Sequence, residues 1–155
     1  MSSLNTWDQF WYYLNHNGTY VLQQFTSHFL ISIYGVLLAA LIGIPLGIFI
    51  ARKKYLSSFV IGLANLIQTI PSLAMLSMIM LVLGLGVNTV IATLFLYSLL
   101  PIIKNTYAGI KNVDPNILDS GRGMGMTKFQ ILYMIELPLS LSVIMGGIRN
   151  ALVVA

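Results

Sequence analysis

The chain contains no cysteine, and its two histidines, His16 and His28, have no acidic cluster beside them. The missing thiols exclude a disulfide framework, a thiolate metal site and a cysteine nucleophile. No glycine-rich loop followed by Lys and Ser or Thr is present to hold a nucleotide phosphate. We therefore expect no metal, no cofactor, no catalytic residue and no ATP hydrolysis by this chain.

Charge is also scarce, at 8% of residues against about 25% in a typical globular domain. Hydrophobic residues make up 57% of the chain, and no charged residue occurs from Tyr55 to Ile103. That stretch has room for two membrane crossings at about 20 residues each. The basic residues form no stripe interleaved with aromatics, so we expect no nucleic-acid partner. The composition predicts an all-α, polytopic transmembrane helix bundle in contact with a lipid bilayer.

Residues 29–155 are predicted to form one transmembrane domain with four apolar spans, at about 29–51, 58–83, 89–107 and 138–155. Residues 1–28 contain no Lys or Arg and are rich in aromatic residues, which gather at membrane interfaces. We interpret them as an extracellular or interfacial segment. Because the chain stops inside apolar sequence at Ala155, we expect it to be truncated relative to a functional protein.

The distribution of Lys and Arg predicts the orientation of the chain. Three basic residues follow the first span, and four lie between the third and fourth spans: Arg52, Lys53, Lys54, Lys104, Lys111, Arg122 and Lys128. The positive-inside rule then places the N-terminus outside a bacterial cytoplasmic membrane and loops 52–57 and 108–130 in the cytoplasm.

A polar island with a proline interrupts the second span: Gln68, Thr69, Pro71 and Ser72. A proline inside a helix removes a backbone donor and obstructs the carbonyl one turn earlier, so we expect a kink or break. Lipid cannot satisfy the freed backbone groups, which should face other helices or a water-filled path. Arg149 lies about halfway through the fourth span, where a charge is costly. These residues are candidates for a pathway or gate, although a structural partnership is equally good for Arg149.

A spaced motif precedes the last span: Asp119, Ser120, Gly121, Gly125, then Ile135, Leu137 and Pro138. It resembles the EAA loop of permeases from importers driven by ATP-binding-cassette subunits, with Asp for Glu and Ser-Gly for Ala-Ala. The resemblance implies a coupling loop, at about residues 111–137, that docks on a cytoplasmic ATP-binding subunit. Asp114-Pro115 is a good helix start, with Asp at the N-cap and Pro at the first helical position.

Residues 68–74 (Gln-Thr-Ile-Pro-Ser-Leu-Ala) and the segment from Asn105 to Met126 are similar to permeases for quaternary-amine osmoprotectants. The resemblance implies the fold of a type I importer permease and transport of glycine betaine, carnitine or choline. It also implies an extracellular substrate-binding protein, a separate ATPase subunit and a second permease copy or related permease. The residues leave two alternatives open: a permease for methionine or a polar amino acid, and a membrane assembly or channel protein without an ATPase.

Overall fold

The structure is a computed structural model that describes residues 5–155, apart from the side chain of Lys54. The described part of the chain is helical and contains no strand. Its helices are α1 (Thr6–Ala51), α2 (Lys54–Gln68), α3 (Ser72–Leu83), α4 (Val87–Lys111), α5 (Pro115–Gly123), α6 (Lys128–Ile131) and α7 (Leu137–Val154), with a π-helical turn at Leu132–Glu136 between the last two.

Three of these helical stretches are long and apolar enough to cross a membrane: Thr6–Ala51, Val87–Lys111 and Lys128–Val154. A fourth crossing results if Tyr55–Gln68 and Ser72–Leu83, which are bent by 96° at a short break, count as one span. The prediction of an all-α, polytopic transmembrane bundle is confirmed.

Helix α1 has 46 residues, which at about 1.5 Å per residue is far longer than the roughly 30 Å hydrocarbon core of a bilayer. No described residue before Ser32 is buried. The aromatic N-terminal segment is therefore continuous with the first span, with a local departure from helical geometry at Asn17. That residues 1–28 form an extracellular or interfacial segment stays a prediction.

Helix α4 is the centre of the bundle. It packs mainly against α1 and α7, and it also contacts α2 and α3. The best-buried apolar cluster joins the three main helices through Val36 and Ala39 of α1, Ile102 of α4 and Ala151 of α7. The side of α4 that α1 and α7 leave open faces α2 and α3.

Glycines allow both neighbours to approach α4 closely. A Cβ atom added at Gly47 would lie 2.6 Å from the Cβ of Thr106, and one added at Gly43 would lie 2.9 Å from Ile102. On the other face, a Cβ at Gly147 would lie 2.7 Å from the Cβ of Asn105. Small residues at these positions let helix backbones come together, as is usual for helix packing in membranes.

We expect Gly47→Ala to destabilise the bundle by about 1–3 kcal/mol, the usual range for overpacking. The added methyl group would meet Thr106, whose β-branched side chain has little rotamer freedom. Gly146→Ala is the matched control because nothing lies within 4 Å of its added Cβ. The thermal midpoint in detergent should fall for Gly47→Ala and stay or rise for Gly146→Ala. An unchanged midpoint for Gly47→Ala would contradict the close packing.

Candidate functional site

The chain between α2 and α3 breaks at the polar island. Helix α2 ends at Gln68, and Pro71 immediately precedes α3 in an extended conformation, with φ −58° and ψ 141°. The expected break at Pro71 is confirmed. Its physical cause is the missing donor and the steric conflict of the proline ring with the preceding turn.

Protein groups, rather than lipid, satisfy the polar atoms at this break. The hydroxyl of Tyr97 on α4 donates a hydrogen bond of 2.7 Å to the carbonyl of Ile70. The hydroxyl of Thr69 donates to the carbonyl of Leu66 at 2.6 Å. The exposed backbone of a broken span needs such partners because the membrane interior offers none.

A polar contact also joins the end of α2 to the middle of the bundle. The ammonium of Lys104 on α4 donates to the side-chain oxygen of Gln68 at 3.0 Å, and both side chains are partly buried. Lys104 was counted among the basic residues that indicate a cytoplasmic loop, although it falls within the predicted third span at 89–107. In the structure it lies within α4, seven residues before the helix ends at Lys111.

A cleft of about 270 Å³ opens beside this contact. Its lining residues come from α2, α4 and α7: Gln68, Tyr97, Pro101, Lys104, Asn105, Asn150 and Val154. Three of them carry amides, one carries a phenol and one carries a cation. The volume is close to the lower end of the range for small-molecule sites, about 300 Å³.

The other pathway candidates do not line this cleft. Thr69, Pro71 and Ser72 are exposed, and so is Arg149, whose neighbour Asn150 turns toward the cleft instead. Gln68 is thus the one candidate from the sequence that the structure brings to the cleft. The roles of all five candidates in a pathway or gate stay predictions.

The segment after α4 begins with a well-capped short helix. The carboxylate of Asp114 accepts a hydrogen bond of 2.8 Å from the backbone N–H of Asn116, and Pro115 occupies the first turn of α5. The helix start expected at Asp114-Pro115 is confirmed. Such a cap satisfies one of the otherwise unpaired N–H groups of the helix end.

The two glycines of the motif have different structural roles. Gly121 is buried, and an added Cβ there would meet the side-chain end of Ile135 at 2.7 Å. Gly125 adopts φ +80°, a left-handed conformation that costs other residues about 1–2 kcal/mol. The glycine at 121, which weakens a helix by propensity, therefore makes room for the later part of the same motif.

The acidic residue of the motif faces solvent. Asp119 pairs with Arg122 at 2.8 Å, and both side chains are about two-thirds exposed. An exposed pair of this kind contributes roughly 0.2–1 kcal/mol to stability. Ser120 is also exposed, with its hydroxyl donating to the carbonyl of Asn116. The outer face of α5 therefore contributes little to the stability of the chain itself.

The last three motif residues lie at the entry to the final span. Thr127 and Gln130 form a capping box at α6, and Ile135 belongs to the π-helical turn that follows. Leu137 opens α7 and Pro138 follows it, yet Lys128–Val154 runs on as one helical stretch of 27 residues. The N–H of Leu137 bonds to the carbonyl of Leu132, five residues earlier. This wider turn accommodates Pro138, which cannot donate to the usual acceptor.

A buried ion pair joins this entry point to the first span. Glu136 is only 5% exposed, and its carboxylate accepts a hydrogen bond from the guanidinium of Arg52, the residue that caps the end of α1. The two residues are 84 positions apart. Sequence reasoning did not find this pair, and neither residue was a candidate.

The packed apolar helices, the broken span and the capped segment before α7 define a multi-pass helical membrane protein. Residues 43–155 match the family described as "Binding-protein-dependent transport system inner membrane component". The chain belongs to this family.

Named relatives are permease proteins. The chain is 64% identical over 143 residues to the carnitine transport permease protein OpuCD of Listeria monocytogenes, covering 92% of this chain and 64% of the relative. It is also 64% identical over 143 residues to the glycine betaine/carnitine/choline transport system permease protein OpuCD of Bacillus subtilis, covering 92% of this chain and 62% of the relative. Identity to the choline transport system permease protein OpuBD of Bacillus subtilis is 59% over 152 residues, at 98% and 67% coverage. The chain thus spans less than two thirds of the length of both OpuCD proteins.

The two ion pairs should respond differently to substitution. Arg52→Met would strand the buried carboxylate of Glu136, and we expect a loss of about 3 kcal/mol, typical of a broken buried pair. Glu136→Met should cost less, because Arg52 is 41% exposed and water can solvate it. Arg122→Met, which breaks the exposed pair, is the control and should cost under about 1 kcal/mol. Thermal unfolding in detergent measures the stability of all three variants. Equal losses of stability for Arg52→Met and Glu136→Met would contradict the prediction that removing Arg52 costs more.

Proposed function

We propose that this chain forms the membrane-spanning permease part of a bacterial importer for quaternary-amine osmoprotectants. A separate ATP-binding subunit hydrolyses ATP, and an extracellular binding protein delivers the substrate. A second copy or a related permease completes the pathway. The printed names of the relatives, which specify carnitine, glycine betaine and choline, favour this substrate class over methionine or a polar amino acid.

The observation that carries the proposal is the placement of α5. This nine-residue helix lies in the chain between α4 and α7, which pack against each other, and its outer face bears the exposed Asp119 and Ser120. Its inner face is held by Gly121 against Ile135. A helix that is fixed on one side and open on the other is suited to docking in a groove of a partner protein.

Motion at α5 has a direct structural route to the spans. Helix α5 contacts α6 and the π-helical turn, and that turn continues without a break into α7. The Arg52–Glu136 pair ties the same turn to the end of α1. In the proposed mechanism, closure of the ATPase subunits moves α5, and the two tied helices change the access of the cleft from one side of the membrane to the other.

The proposed orientation places the N-terminus outside and residues 52–57 and 108–130 in the cytoplasm. It rests on the basic residues at the ends of the helices. Two elements support it together: Arg52 at the end of α1 and the segment containing α5 lie at one end of the bundle, because Arg52 contacts Glu136.

Uptake assays test the function directly. The importer, assembled with its ATPase and binding protein in vesicles, should accumulate labelled glycine betaine, carnitine or choline in an ATP-dependent manner. Methionine and polar amino acids are the comparison solutes, and their uptake in place of the quaternary amines would replace the proposed substrate. A permease that never co-purifies with an ATP-binding subunit would favour an assembly or channel role instead.

Asp119→Ala tests the coupling role of α5. Because the carboxylate is exposed, the variant should lose no more than about 1 kcal/mol of free energy of unfolding, the contribution expected of a surface pair. Its thermal midpoint should therefore change little. Substrate-stimulated ATP hydrolysis should nevertheless fall severalfold, because the residue faces the proposed partner.

Arg122→Ala is the control, since it breaks the same ion pair without removing the acidic group. Stimulated hydrolysis should fall less for Arg122→Ala than for Asp119→Ala. An equal fall of stimulated hydrolysis in both variants would mean that Asp119 acts only through its ion pair with Arg122. Normal docking and normal hydrolysis in Asp119→Ala would rule out the assignment of this loop.

A further inference from the structure

Lys104 brings a positive charge into the bundle without a carboxylate partner. Among the side chains that the structure describes, the ion pairs are Arg52–Glu136 and Arg122–Asp119, and neither includes Lys104. Its ammonium contacts the neutral amide of Gln68 instead. An ionisable group within a transmembrane helix is costly and is by default a candidate for a functional role.

The ammonium of Lys104 contacts a side chain of a neighbouring helix. Lysines near helix ends usually extend their ammonium toward the interface. Lys104 instead directs its ammonium across the bundle to Gln68, at the break between α2 and α3. An ammonium has three donors, and the Gln68 oxygen is the single acceptor recorded for it among the described residues.

The surroundings of Lys104 match a small polar solute. The cleft beside it is lined by the amides of Gln68, Asn105 and Asn150, and its volume of about 270 Å³ suits a small molecule. No acidic side chain is among its lining residues. A carboxylate entering this cleft would therefore meet a cation without displacing a fixed anion.

We propose that Lys104 binds the carboxylate of a zwitterionic quaternary amine as the solute crosses the cleft. This inference rests on the proposed import function. Glycine betaine and carnitine carry both a permanent cation and a carboxylate, whereas choline carries the cation with a neutral hydroxyl. Lys104 thus favours carboxylate-bearing solutes and repels a solute that is only cationic.

Lys104→Met in the assembled importer tests the assignment. A charge-assisted hydrogen bond lost from the transport step should lower the rate of glycine betaine and carnitine uptake at saturating binding protein about tenfold. Choline uptake should change less than about twofold or improve, because the repelling cation is gone. Each solute is compared with itself in the unaltered importer, so capture by the binding protein cancels. Lys104→Arg keeps the positive charge and should retain the preference for solutes with a carboxylate. Lys53 is exposed and lies outside the cleft, so Lys53→Met should leave the uptake of all three solutes unchanged.

Gln68→Glu provides a second variant that does not remove the lysine. Its carboxylate would occupy the place of the amide oxygen, 3.0 Å from the ammonium, and compete with the solute. Glycine betaine and carnitine uptake should fall while choline uptake is kept. An equal loss for all three solutes in both variants would assign Lys104 a structural role and overturn the inference. An unaltered importer that accumulates none of these solutes would instead refute the proposed function.

Discussion

The close approach of α1 and α7 to α4 is the constraint on which the rest of the structure depends. Gly43 and Gly47 leave no space between α1 and one face of α4, and Gly147 does the same between α7 and a neighbouring face. Such contacts suit a membrane bundle, where dispersion and close packing replace the hydrophobic effect as the source of helix association. The polar side chains Tyr97 and Lys104 of α4 contact a different neighbour, the broken end of α2.

The break itself is stable because α4 supplies what lipid cannot. Tyr97 satisfies the carbonyl of Ile70, and Lys104 contacts Gln68, the last residue of α2 before the break. Polar groups from two elements thus complete one another at a depth where each alone would be unfavourable. The cleft lies beside this arrangement, and amides, a phenol and a cation therefore line it together with Pro101 and Val154.

Local sequence patterns predicted the features that depend on local chemistry. The low charge and long apolar segments indicated a transmembrane bundle, Pro71 indicated the break, and Asp114-Pro115 indicated the start of α5. Each of these follows from the composition of a short window or from the steric properties of one residue.

Contacts between segments that are distant in the chain could not be predicted from such local patterns. Arg52 and Glu136 are 84 residues apart, and Lys104 and Gln68 are 36 apart, so no periodicity links them. Lys104 was grouped with a basic loop because a lysine shortly before a polar segment is ordinarily a topology signal. The π-helical turn was also missed, because a proline shortly after a polar segment predicts a new helix rather than a widened turn in a continuous one.

The continuity of Lys128–Val154 connects the two parts of the candidate site. Glu136, near one end of this stretch, is tied to α1, and Asn150 lines the cleft 14 residues further on, about 21 Å along the helix. Because a helix is stiff over this length, a tilt applied beside Glu136 displaces Asn150 relative to Lys104 on α4. The packing of α7 on α4 is close at two places, where Gly147 meets Asn105 and where Gly109 meets Ser140. In the proposed importer, docking force at α5 would therefore reach the cleft through one continuous helix packed closely on α4, without a separate relay of side chains.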